Sequence, residues 1–214
     1  MSSQINSPDN QPELKKIVLA SSNPGKLKEI KTIFQDQPYE LVPQLEFDVS
    51  DADETGLTFV ENAIIKARHA AHHTGMMALA DDSGIEVDFL QGAPGIYSAR
   101  YAGQPCDNQA NNDKLLAALN GVPNDQRSAR FQCVIVLLRH EFDPTPLICS
   151  GTWEGQIVEQ ETGTNGFGYD PLFFVPTHNC TSAELAPEVK NQLSHRGQAL
   201  RQLAEKFPSF LVHS

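Results

Sequence analysis

The segment Lys16–Phe34, KIVLASSNPGKLKEIKTIF, decides the fold class of this chain. Its first part, Lys16–Ser22, is a short apolar run that is typical of a buried strand. The turn residues Asn23-Pro24-Gly25 follow at once. The remainder has the period of an amphipathic helix, with lysines opposite the apolar residues Leu27, Ile30 and Phe34. A strand, a tight turn and a helix in direct succession indicate an α/β protein.

Helical and extended patterns alternate along the rest of the chain. Strands are predicted for Tyr39–Leu45, Met77–Ala80, Ile85–Leu90, Arg130–Arg139, Leu147–Glu159 and Leu172–Val175. Helices are predicted for Thr58–His73, Asp107–Gly121 and Arg196–Pro208, with Gly75 and Pro208 as stop signals. We therefore expect a mixed α/β fold with a strongly twisted central sheet, flanking helices, and two lobes with a cleft between them.

The N-terminal residues differ from the rest in composition. Residues 1–13 are rich in Ser, Asn, Gln and Pro, and they predict a disordered tail because they offer little apolar surface to bury. Residues 14–214 are predicted to form a single α/β domain, since the chain length suits one large unit and contains neither a repeat nor a Pro/Ser-rich linker.

The charge balance narrows the partners. The 214 residues carry 27 acidic and 16 basic side chains, a formal net charge of −11. Between Lys31 and Lys66, and again between Arg139 and Lys190, every formal charge is negative. Polymeric nucleic acid and anionic membranes select basic surfaces, so neither is expected as a partner. A small anionic ligand would need a local cluster of cations or a metal.

Cysteine and histidine usage favours a cytoplasmic protein without a zinc site. The four cysteines form no CxxC pair: Cys106, Cys133, Cys149 and Cys180. With no export signal at the start of the chain, buried reduced thiols are expected. Three histidines crowd one segment without a Cys or carboxylate at ligand spacing, which favours solvated helix-end residues: His69, His72 and His73.

The turn that follows the first strand is a candidate anion site. It comprises Ser21, Ser22, Asn23, Pro24, Gly25 and Lys26. The unpaired N–H groups and the dipole at a helix N-terminus favour an anion, and Lys26 adds a positive charge. The segment is not a Walker A loop, because GxxxxGK[ST] is absent. An ordinary capped turn with an exposed lysine explains the same residues.

The segment Ala80-Asp81-Asp82-Ser83-Gly84 is a candidate metal site. It places two adjacent carboxylates between apolar runs at a predicted turn. Mg²⁺ prefers one or two carboxylates together with phosphate oxygens and waters. Because neighbouring residues of an extended chain point in opposite directions, we expect one carboxylate to face the site. A solvated Asp-rich turn is the alternative.

Three further segments carry chemically suited residues and have ordinary structural explanations as well. Glu54, Glu61, Asn62 and Lys66 lie on or before the second helix, where Lys66 either serves an anion or extends its ammonium to solvent. Phe167, Gly168, Tyr169 and Asp170 suit the close approach of a flat ligand or a tight turn with buried aromatic rings. Lys190, His195 and Arg196 offer cations near the last helix, or surface charges at a helix start.

Taken together, these segments resemble the inosine triphosphate pyrophosphatase family, specifically its bacterial-type members. The resemblance is carried by SSNPGK (21–26), ETGLTFVENAIIKA (54–67), ADDSG (80–84), GAPGIYSARYAG (92–103), GFGYDPLFF (166–174) and SHRG (194–197). These motifs occur in one order over residues 17–207. The visible differences are the N-terminal tail and the Ser-Ser pair before Asn23, where some relatives have Thr-Gly.

The resemblance implies an activity and a set of roles. The protein would hydrolyse non-standard purine nucleoside triphosphates (ITP, dITP and XTP) to the monophosphate and pyrophosphate, with Mg²⁺ as cofactor and as a homodimer. Asp82 would be the general base and a metal ligand, and Glu54 a second metal ligand. Lys66 would be catalytic near the phosphates. Substrate would bind Ser21, Ser22, Asn23, Pro24, Gly25, Lys26, Ser83, Phe167, Gly168, Tyr169, Asp170, Lys190, His195 and Arg196.

Two alternatives remain open at the level of sequence. A Maf-like nucleotide pyrophosphatase has a related architecture and acts on other bases. A non-catalytic nucleotide-binding protein would bind ITP and release no pyrophosphate. The sequence leaves open the preference among ITP, dITP and XTP, the residue that excludes guanine, and the dimer surface.

Overall fold

The computed structural model describes residues 15–35 and 37–212. The predicted tail, residues 1–13, lies outside these ranges. The described residues form one seven-stranded sheet in the order β2-β1-β3-β4-β5-β6-β7. Its strands are β1 (Lys15–Ala20), β2 (Tyr39–Pro43), β3 (Ala78–Val87), β4 (Ser128–Leu138), β5 (Leu147–Ile157), β6 (Phe173–Val175) and β7 (Cys180–Thr181). β1 runs parallel to β2 and β3, and the other neighbours are antiparallel, so the predicted mixed α/β fold with a twisted sheet is confirmed.

The helices begin and end largely where their capping residues predicted. They are α1 (Pro24–Phe34), α2 (Phe59–Thr74), α3 (Asn108–Ala118), α4 (Pro187–Leu193) and α5 (His195–Val212). The side chains of Asn23, Thr58 and Asp107 cap the first three helices. Gly75 ends α2 with a φ of 66°, a left-handed conformation that glycine adopts without strain. Across the described ranges, the helices are too short or too polar to span a bilayer.

Several details of the predicted secondary structure are wrong. The strand predicted for Ile85–Leu90 ends at Val87, and Asp88–Leu90 form a 3₁₀ helix. Asp81–Gly84 does not turn, because these residues continue β3 and pair with residues 132–135 of β4. Pro208 lies inside α5 rather than at its end, and the last turn beyond it packs Phe210 against the core. The short helix α4, which begins with Pro187 at its first position, was not predicted.

Two apolar clusters cover opposite ends of the same sheet face. The first surrounds Leu79 and Ile135 and packs against α1 and α5. The second surrounds Ile85 and Phe131 and packs against α3 and β6. Since side chains alternate along a strand, Asp81 and Ser83 lie on this face between the clusters. The polar gap between the two cores positions the candidate site.

The opposite face of the sheet is covered by α2. Small residues of the helix, among them Ala63, Ala67 and Ala70, lie fully buried with Ala78 and Val136 of the strands. Alanines on both sides allow a close approach of helix and sheet, which fixes the position of every other α2 side chain, including Lys66, relative to β3.

The cysteines and histidines were predicted only in part. Cys133 and Cys149 are buried, whereas Cys106 is exposed and Cys180 is half-buried, so the expectation of four buried thiols is wrong. Cys106 lies in the loop before α3, where it packs into neither apolar core. The histidine segment forms the end of α2, with His72 and His73 exposed.

Candidate active site

A cleft lies where β1 ends beside the middle of β3. Ala20 pairs with Ala80, so the turn after β1 lies next to Asp81 and Asp82. The cleft has two adjoining compartments. The aromatic compartment is lined by Phe131, Phe167, Tyr169 and His195 among others, and the polar compartment by the turn after β1 and the acidic loop before α2. Asn23, Lys26, Glu54, Arg100 and Phe167 line both compartments, which makes them one continuous site.

The structure brings together every residue to which the family resemblance assigned a role, whereas Glu61 and Asn62 line neither compartment. The aromatic compartment is lined by Asp82, Ser83, Gly168, Tyr169, Asp170, Lys190, His195 and Arg196. The polar compartment is lined by Ser21, Ser22, Pro24, Gly25 and Lys66, in addition to the residues shared by both. Segments separated by more than a hundred residues therefore converge on one cleft.

The N-terminus of α1 projects into this cleft. The side chain of Asn23 accepts a hydrogen bond from the Lys26 backbone N–H at 3.1 Å and so fixes the first turn. A Cβ atom at Gly25 would lie 2.6 Å from the ring of Phe167, so glycine allows the ring to rest on the helix start. The turn is therefore both a capped helix end and a wall of the cleft.

The two adjacent aspartates point to opposite faces of β3, as an extended strand requires. Asp81 is buried between Lys26, at 2.5 Å, and the Nε of Arg196, at 3.0 Å. Burial opposes its ionisation, but Arg196 and Lys26 hold the pKa of the Asp81 carboxyl well below its usual range. Asp81 is thus a permanent anion that joins α1 to α5.

Asp82 faces α2 and belongs to a chain of alternating charges. Lys66 Nζ lies 2.6 Å from Asp82 Oδ1 and 3.0 Å from Glu54 Oε1. The guanidinium of Arg100 lies 2.8 Å from the other oxygen of Glu54. Burial raises the pKa of Asp82 above its ordinary value, although Lys66 and Lys26 act in the opposite direction. A carboxyl with a raised pKa beside a lysine is suited to accept a proton.

The second oxygen of Asp82 is poised for an added partner. Asp82 Oδ2 is buried and accepts no hydrogen bond from the described residues. A buried carboxylate oxygen without a partner is costly, and a bound cation or water would satisfy it. Glu54 lines the same compartment, so Asp82 and Glu54 together offer carboxylate ligands to a hard divalent cation.

Lys190 and Arg196 are bound to a carboxylate on α1. Lys190 Nζ lies 2.7 Å from Glu29 Oε1 and 2.6 Å from Asp170 Oδ2. Arg196 contacts the other oxygen of Glu29 and donates to Ser83 Oγ at 2.9 Å. The Arg196 and Lys190 charges overcome the effect of burial and lower the pKa of Glu29. This network orders the wall of the aromatic compartment.

The aromatic residues of the site have two different functions in the fold. Tyr169 is buried, and its hydroxyl donates to the Ser98 carbonyl at 2.8 Å. Asp170 accepts a hydrogen bond from the Phe167 N–H at 2.8 Å and so shapes the loop. Phe167, in contrast, lies half-buried over the cleft, where a flat ligand has access to it.

His195 is a neutral hydrogen-bonding group in the aromatic compartment. Its ring stacks on Phe131, with centroids 4.7 Å apart and an interplanar angle of 11°. Burial and the neighbouring Arg196 lower its pKa well below the ordinary value, so the imidazole is uncharged near neutral pH. Its Nδ1 is buried and has no partner among the described residues. A ligand is the natural partner for this atom.

Sequence reasoning missed three residues of the charged network: Asp81, Glu29 and Arg100. The resemblance assigns no role to Asp81, although two adjacent aspartates in a buried strand already require a partner on each face. Glu29 lies three residues after Lys26 on α1 and therefore shares its helix face, a spacing that could have placed Glu29 near the cleft. Arg100 ends the 3₁₀ helix Gly95–Arg100, and no local pattern connects it to Glu54.

The sequence model of the Ham1 family matches residues 17–206. The chain belongs to this family. The match covers the sheet apart from the first two residues of β1, and every residue of the cleft named above, and it confirms the family resemblance that the motifs predicted.

Known relatives and structures agree with this assignment. The chain is 64% identical over 190 residues to a protein named dITP/XTP pyrophosphatase from Vibrio vulnificus (strain YJ016), covering 89% of this chain and 95% of the relative. It is 56% identical over 192 residues to the protein of that name from Escherichia coli O157:H7, with coverages of 90% and 98%. The structure of a HAM1 protein from Coxiella burnetii superposes with a TM-score of 0.84 at 53% identity, covering 91% of this chain and 99% of that one.

Proposed function

We propose that this protein hydrolyses non-standard purine nucleoside triphosphates (ITP, dITP and XTP) to the nucleoside monophosphate and pyrophosphate, and so removes them from the nucleotide pool. The relatives named dITP/XTP pyrophosphatase support the substrate class. The observation that carries the proposal is the position of Asp82. This buried carboxylate, with one unpartnered oxygen, lines the compartment that Lys26 and Phe167 also line.

The triphosphate would bind in the polar compartment. The turn from Ser21 to Lys26 presents the N-terminus of α1, whose N–H groups and dipole favour phosphate oxygens. Lys26 and Lys66 line this compartment and Lys190 lines the aromatic one, and phosphate oxygens would share these ammonium groups with the carboxylates that now pair with them. At 4 Å and an effective dielectric of about 20, each such pair is worth about 4 kcal/mol. These local attractions outweigh the distant net charge of −11.

A Mg²⁺ ion is the proposed cofactor, and the residues present fit it. Asp82 and Glu54 would hold it, since Asp82 Oδ2 lacks a partner in the described chain. The described residues contain no group of three His, Cys, Asp or Glu side chains arranged around a metal. Two carboxylates with the remaining positions left to phosphate oxygens and waters is a usual arrangement for Mg²⁺. When bound, the ion would neutralise phosphate charge and orient the nucleotide.

Asp82 would also act as the general base. Its buried carboxylate, in a compartment shared with the N-terminus of α1, would accept a proton from a water directed at the α-phosphorus. Lys66, 2.6 Å away, would hold the carboxylate in place and retain a positive charge near the departing pyrophosphate. Burial opposes that charge, but Asp82 and Glu54 raise the pKa of Lys66, so it stays protonated throughout.

The purine would lie in the aromatic compartment against Phe167. Hypoxanthine and xanthine carry a carbonyl at the six position, where adenine carries an amino group. Arg196 donates three hydrogen bonds within the protein, to Asp81, Glu29 and Ser83, which leaves two of its five N–H groups for a carbonyl. A site of fixed donors rejects a ligand with the wrong polarity by about 10⁴-fold or more.

The proposal includes the setting in which the enzyme acts. Residues 14–214 would form the single catalytic domain of a cytoplasmic homodimer without a polymeric nucleic acid or membrane partner. The net charge of −11 supports the last part, because phosphate backbones and anionic lipids repel an acidic surface. Sedimentation analysis of the purified protein, with a dimer expected, tests the oligomeric state.

A pyrophosphate-release assay tests the function. ITP, dITP, XTP, GTP, ATP, dTTP and UTP would be compared, each with and without Mg²⁺. We expect release from ITP, dITP and XTP that depends on the metal and exceeds release from the other four nucleotides. Equal kcat/KM for ITP, GTP and ATP would refute the selectivity. A preference for dTTP or UTP would indicate a Maf-like activity, and ITP binding without release would indicate a non-catalytic protein.

A further inference from the structure

Arg100 occupies a position in the cleft that the roles above do not explain. It is the last residue of the 3₁₀ helix Gly95–Arg100 and lines both compartments together with Asn23 and Lys26. Its guanidinium donates to Glu54 and lies 5.2 Å from the centre of the Tyr97 ring. The guanidinium thus lies at the junction of the compartments, beside a proposed metal ligand.

The ion pair of Arg100 with Glu54 is the most exposed of those described in the cleft. The Arg100 side chain is 27% exposed, whereas the side chains of Lys26 and Arg196 are 15% and 2% exposed. Glu54 is 25% exposed, against 14% for Glu29 and at most 9% for the aspartates that hold the other cations. Solvent screens an ion pair more strongly the more exposed it is, so this partly buried pair exchanges partners more readily than the other pairs of the cleft.

The Glu54 carboxylate cannot pair with Arg100 and bind a divalent cation equally well at the same time. One of its oxygens already accepts from Lys66 and the other from Arg100. A divalent cation at the second oxygen would repel the guanidinium that now occupies that place. The guanidinium would then be free to move, and its five N–H donors suit the oxygens of terminal phosphates.

We propose that Arg100 is a pyrophosphate-binding residue that neutralises Glu54 in the free enzyme and transfers to the terminal phosphates when the metal–nucleotide complex enters. The inference rests on the proposed function, because it takes the terminal phosphates of a nucleotide as the ligand. The proposal gives the acidic site a resting counter-ion, and it implies that a metal would bind Glu54 with the nucleotide rather than before it.

The test compares Arg100→Gln and Arg100→Lys with Arg68→Gln, a loss of the same charge at an exposed position on α2. Binding of pyrophosphate in the presence of Mg²⁺ and binding of free Mn²⁺ without nucleotide are measured by calorimetry. We expect R100Q to bind pyrophosphate about 10- to 100-fold more weakly, since charge-assisted hydrogen bonds are lost. The same variant should bind free Mn²⁺ several-fold more tightly, because Glu54 loses a competing cation. R100K should be intermediate, and R68Q should match the wild type.

Each possible outcome supports or contradicts the proposed role of Arg100. Pyrophosphate binding that is unchanged in R100Q, or absent in the wild type, overturns the role of Arg100 whatever the hydrolysis assay shows. Loss of pyrophosphate binding together with unchanged Mn²⁺ binding overturns the exchange at Glu54. A wild-type protein that binds pyrophosphate through Arg100 but releases none from ITP would retain this inference and refute the proposed hydrolysis. Unfolding temperatures of all variants confirm that the comparison is made between folded proteins.

Discussion

Lys66 Nζ lies 2.6 Å from Asp82 Oδ1. The carboxylate proposed to activate water is therefore ion-paired with a lysine of the helix that covers its face of the sheet. The lysine comes from α2 and the aspartate from β3, and the alanine-rich contact between that helix and the sheet sets their separation. The pair is buried, so each charge depends on the other for its stabilisation. Glu54 also stabilises the charge of Lys66, whereas it opposes the charge of Asp82.

Asp82→Asn should reduce kcat for ITP by about 10²–10⁴-fold, the usual contribution of a general base. The amide keeps the shape of the side chain, and the turn at residues 21–26 is untouched, so affinity for ITP measured without Mg²⁺ should survive. Steady-state pyrophosphate release and calorimetric ITP binding measure the two effects. Asp125→Asn, at an exposed position, is the control. A near-normal kcat in the Asp82 variant would exclude this residue as the base.

Lys66→Met should move the acid limb of the kcat/KM profile to higher pH. Burial raises the pKa of Asp82 above its ordinary value of 3.8, and Lys66 opposes that rise. The base acts in its ionised form, so activity falls as the pH drops through its pKa. Removal of the opposing cation raises the pKa of Asp82 further. Lys31→Met, an exposed substitution on α1, should leave the limb in place. A limb that stays or moves to lower pH in the Lys66 variant contradicts the ion-pair argument.

Asp81→Asn should destabilise the fold by about 3–5 kcal/mol, because the buried Arg196 loses a counter-charge and Lys26 loses its carboxylate partner. The effect depends on pH. A carboxyl whose folded pKa is lowered stabilises the protein above its unfolded value of 3.8, and this contribution disappears as the pH falls below that value. The free energies of unfolding of the variant and the wild type should therefore differ at pH 7 and converge in acid. Denaturant unfolding at several pH values measures this, and a constant difference would contradict it.

Gly151→Ala should weaken ITP binding from a position outside the cleft lining. A Cβ atom at Gly151 of β5 would overlap the backbone oxygen of His195 at the start of α5. The helix must then move, and His195 and Arg196 move with it. We expect a cost of about 1–3 kcal/mol in stability, as for overpacking, with a higher KM for ITP. Ser150→Ala, at the exposed neighbouring position, should change neither quantity. Wild-type KM and stability in the glycine variant would show that this contact is not needed.

The secondary structure was predicted best where a local signal decides it. Thr58 and Gly75 mark the two ends of α2 because a side-chain cap and a left-handed glycine act within one turn. The prediction that Pro208 ends the last helix was wrong, because the penalty for proline in a helix is a local effect. Phe210 packs against both the core and the Arg139 guanidinium, and this tertiary packing outweighs the penalty. The Asp81–Gly84 segment misled for a related reason. Its polar residues resemble a turn, but their partners lie on distant elements.

The sequence by itself determined the family, the mixed α/β class, and the set of segments that meet at the cleft, since each motif carries its own residue types in a fixed order. Only the tertiary structure decided which charges are paired with which. It placed Asp81 between Lys26 and Arg196, and Glu54 between Lys66 and Arg100. The physical reason is the difference in the sequence distance over which these interactions act. Helix caps and hydrophobic periods act over a few residues, whereas an ion pair depends on distances between side chains that only the packing of sheet and helices can fix.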